Sequence, residues 1–378
     1  MLFTYKDAID HVIDAVGSEA STNERRFARR AIQSGLNDLV NSYSFSYFTK
    51  VGRIVSSAQY ATGTIAYTNS TRTVTLTGGT WPSWAKYGTI LIANIPYNVA
   101  SVTDSTNLIL KSNTNPGADV ASGTSYTLYR DTYTLPEDFV SIDKLYCVTS
   151  NYQLGYVTPE DWLAAQRWSR SPSQPLAFTI TADPQVQNRQ AVRFLRPSSV
   201  AMVFDYIYAR RPRPLRYEEV SDGTVTTDGT TTVTGSGTAF TSNMVGSVIR
   251  LSDDGVTEPT GLEGDYPTPD TERIITAVAS ATSLTVNSSL SALTGVKYVI
   301  TDPVDVDEGS LLNYFKACCV KRAKIERNAH DAEVAIAHCE QELRAAMSAD
   351  NPYRGADVAG SGRITFGRLA LRDMRTDV

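Results

Sequence analysis

Seven side chains of the kinds that ligate soft metals or serve as nucleophile and base occur in the chain: His11, His330 and His338, with Cys147, Cys318, Cys319 and Cys339. No two cysteines have CxxC spacing, and His330 and His338 stand eight residues apart, outside the i, i+4 geometry of a helical zinc pair. Zinc sites and disulfide frameworks both need clustered ligands, so neither is expected. Adjacent Cys318 and Cys319 point to different faces of any regular element, which suits buried, reduced thiols. A hydrolytic triad would draw its base from the same three histidines, and no GxSxG elbow offers a nucleophile. There is no GxxxxGK[ST] loop for phosphate either. Trp81, Trp84, Tyr87 and Tyr97 suggest a sugar-stacking platform, against the plainer reading that the rings fill a small β core. Asp253-Asp254-Gly255 invites calcium, but the about six to eight spaced oxygen ligands of such a site are not evident, and a solvated acidic loop is expected. The chain is therefore expected not to be an enzyme and to need no cofactor or metal.

Charge points the same way. Lys+Arg 35 against Asp+Glu 40 leaves a net charge of −5, whereas a dedicated duplex-DNA binder carries a basic excess. Between Ser221 and Asp307 three basic residues meet twelve carboxylates, among them Asp253, Asp254, Glu258, Glu263 and Asp265 of one acidic loop. No run approaches the ~18–20 apolar residues of a membrane span, and MLFTYKDAID carries carboxylates where a signal peptide would be apolar. The expectation is an intracellular chain at synthesis with no membrane partner.

The elements that would position these residues follow from periodicity. Thr4 and Asp7 form a capping box ahead of the stripe Ile9, Val12, Ile13 and Val16, which Gly17 closes. Ser21 to Glu24 repeats the device before a second helix, whose other face carries Arg25, Arg26, Arg29 and Arg30, either a solvated run or a face for an acidic partner or neighbouring subunit. Thr158-Pro159-Glu160-Asp161 predicts a short helix from Trp162 to about Trp168. Ala191–Leu195 and Ala201–Ala209 read as a strand pair. The tract from Glu308 to Ala349 is helical, and a break near Asn328 folds it into an antiparallel pair.

Two Thr/Val/Ile/Tyr-rich stretches punctuated by Gly, Asn and Asp read as antiparallel strands and turns, and they resemble each other. Gly63-Thr64-Ile65 answers Gly223-Thr224-Val225, and Tyr87 to Ile90 answers Val245 to Val248. Val99–Leu110 matches Ile275–Val286 without a gap, and Ser125–Leu128 answers Lys297–Ile300. Trp81 and Trp84 then stand opposite Phe240 and Met244. The predicted organisation is α+β: a discontinuous helical-bundle core (1–58, 132–220 and 303–350) with a small strand pair, two related β modules of barrel or sandwich type (59–131 and 221–302), and an extended C-terminal tail (351–378). The tail carries Arg354, Arg363, Phe366, Arg368, Leu369, Leu371, Arg372 and Arg375, a mixture that suits ordering on a partner.

The order of elements resembles the head-to-tail adaptor proteins of tailed bacteriophages, of the tail tubular protein A type. The likeness rests on the N-terminal helical pair, the aromatic crossing Tyr43 to Phe48, Leu135-Pro136-Glu137-Asp138-Phe139, the strand ending in Tyr208-Ala209-Arg210-Arg211-Pro212, and the C-terminal helix pair with its tail. It covers 1–53, 132–220 and 303–378 in outline. It implies a virion protein of the neck, assembled in the host cytoplasm as a homo-oligomeric ring, commonly of twelve subunits. Its partners would be the portal protein, bound by the tail, the tail nozzle, tail fibres, and phage DNA in transient non-specific passage. A compact adaptor lacks both β modules, so their role does not carry over. The alternative is a tail-associated host-surface or carbohydrate-binding protein with the β modules as binding domains.

Overall fold

The computed structural model describes residues 2–17, 22–165, 172–252, 255–259, 271–307 and 309–350. Helices α1 (Tyr5–Val16) and α2 (Thr22–Ser42) open the chain. Strand β1 (Thr49–Val55) leads into β2 (Thr64–Thr68), β3 (Thr73–Thr77), β4 (Thr89–Ile92), β5 (Ile95–Val102), β6 (Asn107–Leu110), β7 (Val120–Thr124) and β8 (Tyr126–Tyr129). Next come β9 (Thr132–Thr134), β10 (Phe139–Cys147), β11 (Tyr152–Gln153), β12 (Gly155–Tyr156), helix α3 (Pro159–Ala165), β13 (Ala177–Ala182), β14 (Gln190–Leu195) and β15 (Val203–Arg210). A second series follows, β16 (Thr224–Thr227), β17 (Thr232–Ser236), β18 (Val248–Leu251), β19 (Thr271–Ser280), β20 (Ser283–Val286), β21 (Leu293–Val296) and β22 (Tyr298–Thr301). Helices α4 (Ser310–Glu326) and α5 (Ala332–Asp350) close the described chain. Two compact units result, one of Phe48–Arg211 and one of the residues up to Tyr47 with those from Pro212 onward.

The expected helical-bundle core with one strand pair is overturned. The fold is mixed α+β with four sheets, two of seven strands and two of four, and a tightly packed C-terminal helix pair. Residues 132–211 do not join the helices. With β1 they build the sheets β1-β15-β10-β11 and β12-β13-β14-β9, which share an apolar core of their own. The expected pairing of Ala191–Leu195 with Ala201–Ala209 does not form, because β14 pairs with β13 and β9 while β15 pairs with β1 and β10. The two strands meet face to face instead, with Phe194 and Phe204 ring centroids 4.6 Å apart. Phe194 and Val192 of β14 and the row Phe204, Tyr206 and Tyr208 of β15 fill the shared core of the stacked sheets. The expected tail, 351–378, lies outside the described residues.

Both seven-stranded sheets have one topology, β7-β2-β3-β6-β5-β4-β8 and β21-β16-β17-β20-β19-β18-β22, element for element. In each, one long strand changes partner along its length: β5 passes from β4 to β6, and β19 from β18 to β20. Gly63 and Gly223 occupy the same left-handed position, φ +81° and +82°, where an added Cβ would come within 2.2 Å of the carbonyl oxygen of Thr77 or Ser236. Only glycine fits so close a backbone approach. The Tyr126 hydroxyl donates to the Thr62 carbonyl at 2.8 Å, and Tyr298 to that of Asp222 at 2.7 Å. Edge-to-face rings cover both cores, Trp81 on Tyr126 and Phe240 on Tyr298. One register differs from the sequence reading. Matching hydrogen bonds, Val99 to Gly88 and Ile275 to Ser247, equate Gly88 with Ser247 and Ala85 with Met244, one residue away from the expected match.

The helical unit is seeded by its caps. Thr4 N donates to Asp7 Oδ2 at 2.9 Å while Asp7 N reaches Thr4 Oγ1, and Gly17 closes α1 at φ +68°. The second expected box begins at Ser21, outside the described residues. Helix α4 packs against α1, α2 and α5. It passes so near α2 that a Cβ on Gly35 would fall 2.8 Å from Cys319 Sγ. The helical tract breaks where a left-handed Asn328, φ +49°, turns the chain into α5.

Module and helices of this unit are joined by buried ions. Arg250 on β18 is fully buried and grips Asp7 with two hydrogen bonds, 3.0 and 2.8 Å, while reaching Glu272 at 3.1 Å and the Leu2 carbonyl at 2.9 Å. Asp302, also fully buried, accepts from Ser247 Oγ, Arg213, and the backbone N–H groups of Arg216 and Tyr217. At the position of Arg250 the first module has Leu91, so the β fold itself requires no charge there.

Candidate interaction surfaces

Within the unit Phe48–Arg211, side chains alternate across β1 and β15, so residues two apart share a face. The register sets Val51 beside Ile207, Arg53 beside Asp205 and Val55 beside Val203, with Tyr146 of β10 next in the middle row. The opposite set, Ile54, Phe204, Tyr206 and Tyr208, fills the core. The outer set is left open: Val51 is 73% exposed, Val55 61%, Val148 52% and Tyr146 45%. A bidentate Arg53–Asp205 pair, 2.6 and 2.8 Å, interrupts this apolar ground. Strand β1 also forms the edge of its sheet, so one row of its backbone groups has no strand partner among the described residues. Gly52 is required inside the strand, because a Cβ there would stand 2.3 Å from the Tyr206 ring.

Two of the resemblance motifs, the LPEDF turn and the strand end at Tyr208 to Arg211, meet at this sheet. Asp138 accepts from the Tyr208 hydroxyl at 3.1 Å and from Lys50 Nζ at 2.8 Å, while Arg211 N donates to the Asp138 carbonyl at 2.6 Å. The LPEDF turn thus clamps the ends of β1 and β15. Sequence reasoning missed the exposed face. Its one signal was Val-Gly-Arg-Ile-Val at 51–55, an apolar pattern on both faces of a strand.

The arginine run on α2 is divided. Arg25 pairs with Glu218 at 2.8 Å and Glu219 at 3.4 Å, and Arg29 also pairs with Glu218, while Lys6 reaches Glu219 at 2.7 Å. These two carboxylates hold the segment before the second module against the helices. Arg26 and Arg30 are exposed, and among the described residues neither pairs with a carboxylate; Arg30 lies over the Phe27 ring. Of the acidic loop only Glu258 is described, partly buried, and Asp253, Asp254, Glu263 and Asp265 lie outside the described residues. So do the tail positions Arg354, Arg363, Phe366, Arg368, Leu369, Leu371, Arg372 and Arg375.

The aromatic residues of the first module do not gather as an open platform. Trp81 is buried in the module core, Trp84 and Tyr97 pack against that core, and Tyr87 lies under the Arg130 guanidinium at 4.7 Å. Arg130 also covers Tyr133, at 4.4 Å. A polar cavity of about 260 Å³ opens beside these groups, lined also by Asn98, Lys111, Asp131 and Arg193. Buried Asp131 accepts from Arg193 Nε at 2.8 Å, and the Arg193 guanidinium stacks 4.0 Å from the Trp162 ring. Charges here are matched in pairs and tie the module to the sheets beneath it.

Of the seven soft side chains only Cys318 and Cys339 meet among the described residues, with sulfurs 3.4 Å apart, and the others do not join them in one site. His330 and His338 are exposed, His11 is half-buried on α1, and Cys147 is buried in the sheet core. Among the described residues no three His, Cys, Asp or Glu side chains are grouped to hold a metal, and no helix is long and apolar enough to cross a membrane.

No family model matches the chain, and no curated protein matches it. A solved structure, the apo form of translation elongation factor SelB from Methanococcus maripaludis, aligns over 67% of this chain and 62% of that chain at 12% identity, with a TM-score of 0.14. A TM-score so low supports nothing about fold or function.

Proposed function

We propose that the chain is a structural subunit of a tailed-phage neck, a head-to-tail adaptor that assembles into a ring between portal and tail nozzle and leaves a passage for DNA. The observation that carries this reading is the open apolar face of β1 and β15, with its edge strand. Monomeric proteins rarely leave such ground uncovered, and an edge strand beside it offers backbone groups to a neighbour. A ring needs one patch to meet a different patch on the next copy, and an apolar face that also presents the exposed Lys144 can dock on a different surface of the same chain. The net charge of −5 suits a channel through which DNA slides without sticking. By the resemblance the ring has twelve subunits, and residues 351–378 dock on the portal.

Negative-stain imaging and light scattering of the purified chain, alone and with portal particles, test the proposal. A ring is expected, and replacing Val51 and Val55 together by Lys should leave folded monomers. A wild-type chain that stays monomeric, alone and with portal, refutes it.

A further inference from the structure

Helices α4 and α5 face each other across their bend. Asn328 lies ten residues after Cys318 and eleven before Cys339, so an antiparallel hairpin brings the two thiols level. Their sulfur atoms are 3.4 Å apart, both buried. A disulfide needs about 2.05 Å between sulfurs, so closure asks for roughly 1.4 Å of movement between two helices already in contact. Cys319 is turned away, against Gly35 of α2.

We propose that Cys318 and Cys339 form a reversible dithiol–disulfide couple whose oxidant is a small hydroperoxide. Access comes through Cys339. It lines a cavity of about 370 Å³ together with Asp38, Tyr314, Lys321, Glu340 and Leu343, while Cys318 lies behind it. The Cys339 thiol is pushed down to about 7, first by the hydrogen bond with Cys318 and, against the cost of burial, by the nearby Lys321 ammonium. Cys318 is pushed up, by that same hydrogen bond and by burial. The roles follow, since the thiolate is the nucleophile. Cys339 sulfur attacks one peroxide oxygen, the O–O bond breaks, and hydroxide leaves and takes up a proton to give water; Cys339 is then a sulfenic acid. Cys318 sulfur attacks the Cys339 sulfur, its proton passes to the departing hydroxyl, and a second water leaves. Two thiols have lost two electrons and the peroxide has gained them. A thiol reductant reverses the couple by exchange.

The couple is independent of the adaptor reading, because it would staple α4 to α5 in a monomer or in a ring. The test uses the full chain and hydrogen peroxide. Oxidised protein should be lighter by two hydrogen atoms, and trypsin should release Ala317–Lys321 joined to Asn328–Arg344. Cys318 and Cys319 share the first peptide, so fragmentation between them must place the bond on Cys318. The link should persist in Cys319→Ser and vanish in Cys318→Ser and Cys339→Ser. Oxidation should raise the thermal midpoint of the helical signal by about 5 °C or more, and dithiothreitol should restore the original value. Folded protein that gains only oxygen atoms, or none, overturns the proposal, as does a bond placed on Cys319 or a midpoint that does not rise. Fragmentation of the unsubstituted protein decides the same point if a serine variant fails to fold.

Discussion

Replacing Arg250 by Ala should unfold one unit and spare the other. Arg250 and Asp7 are both fully buried, and the arginine supplies two of the four side-chain hydrogen bonds that Asp7 receives from Arg250 and Thr4. Removing it takes both of those bonds and the neutralising charge from an interior carboxylate, while Glu272 keeps its bond from Leu2 N at 2.8 Å. Breaking a buried pair from one side costs about 3–5 kcal/mol. At a urea m-value of roughly 2–3 kcal/mol/M the midpoint should fall by about 1–2.5 M. The assay separates the units. All four tryptophans, at 81, 84, 162 and 168, lie within Phe48–Arg211, whereas the long helices belong to the other unit. Far-UV ellipticity at the helical minimum should therefore shift and tryptophan emission should not. Arg250→Leu with Asp7→Asn should lose less than the two single changes summed, by about 1–3 kcal/mol, because neither charge is then stranded. An ellipticity midpoint lowered by less than about 0.3 M, or an equal fall in the tryptophan signal, would show that the buried pair does not anchor its own unit.

Tyr126→Phe and Tyr298→Phe should each cost about 1 kcal/mol, since each removes one hydroxyl-to-carbonyl bond, the first read by tryptophan emission and the second by ellipticity. Gly63→Ala and Gly223→Ala should each cost at least about 2 kcal/mol, from a left-handed φ and a Cβ pressed on a carbonyl, and equal loss at both sites in urea unfolding would bear out the shared backbone. Burial raises the Asp38 carboxyl, but hydrogen bonds from Arg322 and Lys321 outweigh it and hold the group below the usual carboxylate range. Its stabilising effect is thus present above the unfolded-state value near 4 and lost as pH falls through the folded value, so Asp38→Asn should flatten the acid limb of ellipticity-monitored stability and leave it unchanged in shape above about pH 5.

The β modules were legible because their information is local. Turn glycines, alternating strands and a tyrosine that closes on its own entry recur in order, and a gap-free match of Val99–Leu110 with Ile275–Val286 needs no knowledge of the rest of the chain. Caps and the bend at Asn328 were legible for the same reason. The sandwich was not. Phe194 and Phe204 are ten residues apart, a spacing that reads as a hairpin, and nothing nearby reveals that β14 turns back to β9 and β13 while β15 crosses to β1, about 150 residues earlier. Ion pairing had the same blind spot: Glu218 and Glu219 neutralise part of an arginine face on a helix far upstream. Cys318 and Cys339 could have been paired in advance, since a bend between them at equal distance implies the meeting.

The closure of each module at its base also bears on mechanics. In the first module the chain enters beside Tyr60 and leaves at Leu128, and those two residues form an antiparallel bridge with hydrogen bonds of 2.8 Å in both directions. The second repeats it with Val220 and Ile300. A tension that pulls the two flanking chains apart loads that bridge together with the last strand pairs, Tyr129 on Thr89 and Thr301 on Val248, which lie on the exit side of it. Each module is therefore closed at its base by its own backbone, and the ion pairs that tie it to its host, Arg250 with Asp7 and Arg193 with Asp131, share any load with that closure.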